Sequence, residues 1–305
     1  MTCRANRTSQ LLIALLFSGF FIACHSEKVI RPDRPQVPAG VRMQDVHFES
    51  AALGRQMTYR VFLPAKVDPN RKFSVVYLLH GNYGSFRDWS NDSDVAIYVQ
   101  HGLLLVMPEG DSSYYMNEVE APREKYGDYL TADLIADVEA RFPVRSDRGG
   151  RAIIGVSMGG FAAIECALAR PDLYSFAGAL SPAIDVPSRG FNIRRVGQWW
   201  RFRKIFGPVG SAERRARDPF IQVQSVQPAT IPYLYVTAGE DEPLLGPIRK
   251  FVLDMRQRGF AFEFHTRPGG HNWSEWDKQI PGCFTSLMKH LRTGGDALSS
   301  RSSQK

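Results

Sequence analysis

The sequence is poor in cysteine and has no long apolar run. Its 305 residues include four cysteines and contain neither a CxxC pair nor an HExxH motif, so we expect neither a disulfide scaffold nor a zinc site. No apolar run reaches the roughly 18 residues that crossing a bilayer requires, which argues against a transmembrane helix. Hydrophobic residues make up 44% and charged residues 23% of the chain. This composition is typical of a globular protein and excludes disordered and collagen-like classes.

The first 23 residues are predicted to be an export signal peptide. A positive start with two arginines precedes the 13-residue apolar run Leu11–Ala23, which has the length of a signal segment. A small residue then precedes Cys24, an arrangement typical of bacterial lipoprotein processing sites, where the cysteine is kept and lipidated. We therefore expect an exported protein that is tethered to a membrane through Cys24 or released into the periplasm or medium. Residues 24–40 are rich in proline and charge and read as a tether.

Residues 41–293 are predicted to form one domain, followed by a disordered tail at 294–305. Two alternating segments predict an antiparallel strand pair, and continuous apolar runs then alternate with helical patterns. Such runs are typical of parallel strands that are buried on both faces. The sequence therefore predicts an α/β fold with a mostly parallel, doubly wound sheet opened by an antiparallel pair. The eight predicted strands are Met43–Glu49, Met57–Leu63, Val75–Leu79, Leu103–Met107, Arg151–Val156, Phe176–Leu180, Tyr233–Val236 and Phe260–Phe264.

The two cysteines of the predicted domain, Cys166 and Cys283, each lie in an apolar helical pattern. We expect both to be buried free thiols. A disulfide bond between them is the alternative.

A G-x-S-x-G motif, Gly155–Gly159, follows a predicted buried strand and opens a predicted helix. In this context the motif is typical of a nucleophile elbow, a turn that is too tight for side chains at the flanking positions. The turn raises the serine hydroxyl above the sheet, and the helix N-terminus favours negative charge that develops beside it. Ser157 is therefore the candidate nucleophile. The alternative is a tight strand–helix turn with an inert serine.

A serine hydroxyl needs a base in order to act as a nucleophile at neutral pH. In this kind of site the base follows the last strand. A glycine-rich loop, Arg267–Trp273, follows the last predicted strand and contains His271. His271 is therefore the candidate base among the seven histidines of the chain.

The acid that orients the imidazole should follow the preceding strand. Three consecutive carboxylates, Glu240, Asp241 and Glu242, stand there. The residues alone leave the choice among them open. The chain order of serine, acid and histidine matches the α/β-hydrolase arrangement.

An oxyanion needs two backbone N–H donors. Met158, which follows the candidate nucleophile, supplies one, and the turn after the third strand, His80–Gly84, supplies the other. The Asn82 amide is the candidate within that turn, and His80 is expected to pack and hydrogen-bond there. Simple turn chemistry is the alternative explanation of this loop.

Taken together, these motifs resemble the esterase D family, also called the putative esterase family, from about Val41 to Leu291. Relatives include S-formylglutathione hydrolases, feruloyl esterases and mycolyltransferases. The resemblance implies that Glu242 is the acid, with Asp241 as the fallback, and that the Asn82 and Met158 amides form the oxyanion hole. The markers are Tyr77–Gly81, Trp89, Gly155–Phe161, Phe206–Gly207, Asp218–Phe220, Gly239–Leu244 and Gly269–His271.

The resemblance implies a serine carboxylic ester hydrolase that works through an acyl-enzyme and needs no metal or organic cofactor. The expected substrate is a small-molecule or saccharide-linked ester, and nucleic acid is not an expected partner. Two alternatives stay open. One is an acyltransferase of the mycolyltransferase type, in which a sugar alcohol replaces water, and the other is a non-catalytic binding module on the same fold.

A basic, aromatic segment, Arg189–Arg217, lies between the sixth and seventh predicted strands, and we call it the basic insertion. It contains nine basic residues and one acid, Glu213. One interpretation is a positive lid that gathers anionic or aromatic acyl substrates or touches anionic lipid headgroups. The interpretation we favour is a helix whose aromatic side chains pack on the domain while its arginines stay solvated.

Overall fold

A computed structural model of the chain describes residues 32–68 and 71–292. The predicted signal peptide, Cys24 and the predicted tail at 294–305 lie outside the described residues. Within the described ranges, no helix is both long and apolar enough to cross a membrane.

The described part of the chain contains one mixed sheet of eight strands. They are β1 (Val41–Ser50), β2 (Arg55–Pro64), β3 (Ser74–Leu79), β4 (Leu103–Pro108), β5 (Arg151–Val156), β6 (Phe176–Leu180), β7 (Tyr233–Gly239) and β8 (Phe262–Arg267). Their order across the sheet is β1-β2-β4-β3-β5-β6-β7-β8. β2 is antiparallel to both of its neighbours, and all other pairs are parallel. The predicted α/β fold, with a mostly parallel sheet opened by an antiparallel pair, is confirmed.

Apolar cores lie on both faces of this sheet. Successive strand residues point to opposite faces, so Ile153 of β5 belongs to one hydrophobic cluster and Ile154 to the other. This two-sided burial explains why the central strands read as continuous apolar runs. The helices over the described ranges are α1 (Asp88–Asp92), α2 (Tyr126–Asp128), α3 (Leu134–Arg141), α4 (Met158–Ala169), α5 (Val196–Phe206), α6 (Ala212–Ala216), α7 (Pro219–Ser225), α8 (Leu245–Arg258) and α9 (Trp273–His290). Cys166 and Cys283 are buried free thiols.

The last strand begins later than the apolar run suggests. The predicted strand Phe260–Phe264 is wrong at its start, because Phe260 closes α8 instead. Its N–H donates to the Met255 carbonyl at 3.1 Å, and Gly259 adopts a φ of +77°. This pattern is a Schellman ending, in which an apolar residue after the glycine packs against the last helical turn. β8 runs from Phe262 to Arg267, so the glycine-rich loop follows the strand directly.

The segment before β1 packs on the sheet. The Arg60 side chain is buried on β2 and forms ion pairs with Asp33 and Asp45, each at 2.7 Å. The Gln36 N–H donates to the Ser90 carbonyl at 2.8 Å. A buried guanidinium needs carboxylate partners, and one of them comes from upstream of the predicted boundary at 41. The described residues from Asp33 onward thus belong to the same compact unit as the sheet.

The basic insertion supplies α5 and α6 between β6 and β7. Phe202 and Phe206 of α5 are buried, and their ring centroids lie 5.6 and 5.7 Å from that of Tyr114. Phe161 of α4 lies 5.7 Å from Phe206 in the same cluster. Aromatic packing against the domain therefore holds α5 in place.

Candidate active site

Ser157 lies at the sharp turn between β5 and α4. Its φ of +54° is strained for a residue with a side chain, at a cost of about 1–3 kcal/mol. Hydrogen bonds support this conformation, since the Ser157 N–H donates to the Leu180 carbonyl at 2.8 Å and its carbonyl accepts from the Ala183 N–H at 3.1 Å. Together they present the hydroxyl above the carboxyl ends of the strands.

The glycines around Ser157 are required by close backbone contacts. A Cβ at Gly155 would lie 2.2 Å from the Gly159 carbonyl oxygen, and a Cβ at Gly159 would lie 2.4 Å from the Leu79 carbonyl oxygen. No side chain fits at these distances. The turn thus has the close packing that a nucleophile elbow requires.

The His271 imidazole joins Ser157 to Glu242. Its Nε2 atom is 2.8 Å from Ser157 Oγ, and its Nδ1 atom is 3.0 Å from Glu242 Oε2. A carboxylate oxygen accepts hydrogen bonds, so this contact fits the tautomer in which Nδ1 carries the proton. This leaves the Nε2 lone pair to accept the Ser157 hydroxyl proton. The Glu242 side chain is fully buried and that of His271 is 28% exposed, so the imidazole is the more accessible of the two.

The other two carboxylates of the run point elsewhere. Asp241 Oδ2 accepts a hydrogen bond from the Gly269 N–H at 3.2 Å, and Glu240 Oε1 accepts one from the Thr266 hydroxyl at 3.1 Å. Asp241 therefore hydrogen-bonds to the loop that carries His271, whereas Glu242 contacts the imidazole. The structure brings the sequence candidates Ser157, His271 and Glu242 together and leaves the fallback Asp241 outside that contact.

Three tryptophans pack edge-on in a row that ends at the His271 ring. The Trp276 ring stands edge-on to it, with centroids 5.0 Å apart and planes at 88°. Trp273 lies 5.3 Å from Trp276, and Trp89 lies 5.4 Å from Trp273. Trp89 is itself anchored by its Nε1–H, which donates to the Leu79 carbonyl at 3.0 Å. These edge-on contacts limit the rotation of the imidazole away from Ser157.

Trp276 is a supporting residue that none of the sequence motifs singled out. The local signal is Asn272 followed three residues later by Glu275, which is typical of a helix N-terminus. The Asn272 side chain indeed accepts from the Glu275 N–H. α9 continues through Pro281, a residue that usually ends or kinks a helix.

The turn that carries Asn82 lies against Ser157. A Cβ at Gly81 would lie 3.6 Å from the Ser157 Cβ. Within the described ranges, neither the Asn82 nor the Met158 N–H donates to a protein acceptor. The Met158 N–H directly follows Ser157 in the chain, and the Asn82 N–H follows Gly81, the residue that lies against Ser157.

His80 serves the turn itself. It is buried, its Nδ1 atom lies 2.8 Å from the Gly81 carbonyl oxygen, and its Nε2 atom accepts from the Gly110 N–H at 3.0 Å. Both ring nitrogens are therefore committed to holding two loops together, as the sequence suggested for a packed histidine.

Tyr114 and Tyr115 form a buried wall beside this turn. Both have positive φ angles, of 57° and 54°, and the Tyr115 hydroxyl accepts from the His80 N–H at 3.1 Å. Burial raises the pKa of Tyr114 to about 12, although the nearby charges of Arg189 and Arg201 oppose the shift. Tyr114 is thus a neutral, apolar wall with two cations close to it.

In the described part of the chain, no group of three or more His, Cys, Asp and Glu residues is arranged so that it could hold a metal ion.

The sheet order, the elbow at Ser157 and the placement of the histidine after the last strand define an α/β-hydrolase fold. The model of the family described as "Putative esterase" matches residues 50–287. The chain belongs to this esterase family.

Relatives of known activity cover most of the chain. An acetyl esterase of Caldicellulosiruptor saccharolyticus is 24% identical over 267 residues, which cover 81% of this chain and 98% of the relative. The diacylglycerol acyltransferase/mycolyltransferase Ag85B of Mycobacterium leprae is 27% identical over 294 residues, which cover 84% of this chain and 87% of the relative. The solved structure of FphF, a fluorophosphonate-binding serine hydrolase of Staphylococcus aureus, aligns with a TM-score of 0.71 at 22% identity. That alignment covers 81% of this chain and 98% of FphF and shows a common fold.

Proposed function

We propose that this chain is a serine carboxylic ester hydrolase in which Ser157 is the nucleophile, His271 the base and Glu242 the acid. The observation that carries the proposal is the double contact of His271, with Nε2 at 2.8 Å from the Ser157 hydroxyl and Nδ1 at 3.0 Å from a buried carboxylate. The acetyl esterase relative supports an ester as the substrate.

Acylation begins when Ser157 Oγ attacks the ester carbonyl carbon and His271 Nε2 takes the hydroxyl proton. The carbonyl electron pair moves onto oxygen, and the Asn82 and Met158 N–H groups donate to the oxyanion. Each such donor lowers the barrier by about 3–4 kcal/mol. Collapse of the intermediate breaks the bond to the alcohol oxygen, and His271 returns its proton to the leaving alcohol. Glu242 stabilises the imidazolium in the meantime.

Deacylation repeats the sequence with water. His271 removes a proton from a water molecule as that molecule attacks the acyl carbonyl carbon of the Ser157 ester. The second oxyanion is held by the same two N–H groups. Its collapse releases the carboxylic acid and returns the proton to Ser157 Oγ, so the enzyme is regenerated.

An ester panel tests this proposal. Short acyl esters, a feruloyl ester, acetylated xylo-oligosaccharides and lactones are offered to the wild type and to Ser157→Ala. The matched control is Ser225→Ala, because Ser225 is an exposed serine at the end of α7. Turnover of at least one ester that Ser157→Ala abolishes and Ser225→Ala retains supports the proposal. Full turnover by Ser157→Ala would reject it for that substrate.

The second candidate is an acyltransferase, which the relationship to Ag85B favours. The acylation half-reaction is the same, but a sugar or glycerol hydroxyl attacks the acyl-enzyme in place of water. Product analysis with and without an added sugar alcohol separates the two functions. A new ester formed at the expense of free acid supports transfer, whereas free acid alone supports hydrolysis.

We also propose export with anchoring through a lipidated Cys24. The support is the sequence pattern of a short apolar run followed by a small residue and Cys24. Full-length protein produced in bacteria fed an alkyne fatty acid should take up the label, and Cys24→Ser should abolish it. Cys3→Ser is the control and should keep it. Label that persists in Cys24→Ser would refute the anchor.

A further inference from the structure

One cation of the basic insertion contacts the turn beside the candidate nucleophile. Arg201 Nη1 lies 3.3 Å from Asn82 Oδ1, and its guanidinium lies 4.7 Å from the centroid of the Tyr83 ring. Asn82 carries a candidate oxyanion N–H, and the preceding Gly81 lies against Ser157. The insertion therefore reaches the site through Arg201.

Four other cations of the insertion already have protein partners. Arg189 forms an ion pair with Asp185 at 2.7 Å. Two further ion pairs join Arg203 to Glu120 and Lys204 to Glu118, each at 2.9 Å. Buried Arg214 donates instead to the carbonyls of Pro187, Gly207 and Arg189. Three of these four cations are thus ion-paired, which is more pairing than the sequence suggested, and the fourth donates to carbonyls, so none of the four is offered to a ligand.

Arg201 differs from these residues. Among the described residues, no carboxylate forms an ion pair with it, and its recorded partners are a neutral amide oxygen and an aromatic ring. Arg194, Arg195 and Arg215 also have no ion pair in the described part of the chain, but none of them contacts the turn. Arg201 is therefore the unneutralised cation at this edge of the site.

The chemistry of the guanidinium indicates what it selects. It has five N–H donors, of which the contact with Asn82 uses one. The Tyr83 ring contacts the group without using its N–H donors, and among the described residues the hydrogen bond of the side chain is the one with Asn82. A carboxylate accepts two parallel N–H bonds from a guanidinium, and such charge-assisted bonds are about twice as strong as neutral ones.

We propose that Arg201 is a specificity-determining residue that favours ester substrates bearing a carboxylate. The inference rests on the proposed esterase function and adds the substrate class to it. The carboxylate belongs to either the acyl or the alcohol part of the ester, and the test below has one arm for each.

The experiment compares matched charged and neutral esters. Monomethyl adipate and the methyl ester of adipic monoamide differ in charge on the acyl side. Para-acetoxybenzoate and para-acetoxybenzamide differ in charge on the alcohol side. We would measure kcat and KM of each for the wild type, Arg201→Gln and Arg201→Lys. Arg215→Gln is the matched control, because it removes the same charge from an exposed position of α6.

In at least one pair, the wild type should prefer the charged member, and Arg201→Gln should lower this preference in kcat/KM by about tenfold, mainly through KM. Arg201→Lys should keep part of this preference, because lysine retains the positive charge but lacks the two parallel N–H donors of the guanidinium. Arg215→Gln should change it by less than about twofold. No preference in either pair, or an equal loss in Arg215→Gln, would overturn the inference while leaving the esterase proposal intact. Failure of the wild type to hydrolyse any ester would instead reject the proposed function.

Discussion

Gly239 and Gly269 approach so closely that a Cβ at position 239 would lie 2.3 Å from the Gly269 carbonyl oxygen. Gly239 ends β7, just before the loop that carries Glu242, and Gly269 belongs to the loop that carries His271. The Asp241 N–H donates to the same carbonyl at 3.0 Å. This backbone contact sets the separation between the carboxylate and the imidazole.

Gly239→Ala should therefore lower kcat by about 10²-fold, because the added methyl group pushes the two loops apart and misplaces the imidazole. Gly246→Ala in α8 is the control, since a Cβ there meets no atom within 4 Å. It should retain kcat. Thermal unfolding of both variants checks that the loss is not caused by unfolding. A folded Gly239→Ala enzyme with wild-type kcat would contradict this account of the loop contact.

Glu242→Gln and Asp241→Asn should differ sharply. Glu242→Gln removes the negative charge that stabilises the imidazolium and lets an amide N–H face Nδ1 of His271, which favours the wrong tautomer, so kcat should fall by about 10³-fold or more. Asp241→Asn keeps an oxygen that accepts from the Gly269 N–H, so it should change kcat by less than about fivefold. Steady-state kinetics on one activated ester decides between them. The reverse ranking would make Asp241 the acid.

Two substitutions at Asn82 separate its backbone from its side chain. Asn82→Pro removes the N–H proposed to hold the oxyanion, and kcat should fall by about 10²–10³-fold. Asn82→Ala keeps that N–H and loses only the side-chain contact with Arg201, so its kcat on a neutral ester should stay within about threefold. Circular dichroism confirms that both variants fold. Equal losses in the two would argue against the backbone role.

Asp33→Asn should destabilise the domain in a pH-dependent manner. The hydrogen bond from Arg60 lowers the pKa of Asp33, and a lowered carboxyl pKa stabilises the fold above the unfolded pKa. The variant should lose about 1 kcal/mol of unfolding free energy at pH 7. Its difference from the wild type should shrink as the pH falls below about 4, because the Asp33 carboxyl of the unfolded wild type takes up a proton first and that of the folded protein follows at lower pH.

Urea unfolding between pH 7 and pH 3 measures this difference. Asp172→Asn is the control, because Asp172 pairs with Arg170 at an exposed site with its side chain 61% accessible. It should change stability by less than about 0.5 kcal/mol. If the two variants lose the same free energy, the upstream segment contributes nothing through Arg60.

Much of the sheet was predictable because its chemistry is local. Strands buried on both faces require continuous apolar runs, and β5 and β6 match their predicted bounds for that reason. α4 also begins where the G-x-S-x-G motif predicts a helix, at Met158 directly after Ser157.

The remaining features depend on distant residues. Glu240, Asp241 and Glu242 are chemically alike, and the one that faces His271 is selected by the meeting of two loops. The full length of α9 is hard to predict because Pro281 lies in its interior, where proline normally ends a helix. The partners of Arg203 and Lys204, Glu120 and Glu118, are more than eighty positions away, so part of a charge run that reads as solvated is in fact paired.

The most direct test of the central claim is covalent labelling with a fluorophosphonate probe. If His271 activates Ser157, Oγ should attack phosphorus and expel fluoride, which leaves a phosphonyl adduct that blocks ester turnover. Peptide mapping by mass spectrometry should find one adduct, on Ser157 in the wild type and on no residue in Ser157→Ala. An adduct on another residue, or a wild type that hydrolyses esters without labelling at Ser157, would contradict the account.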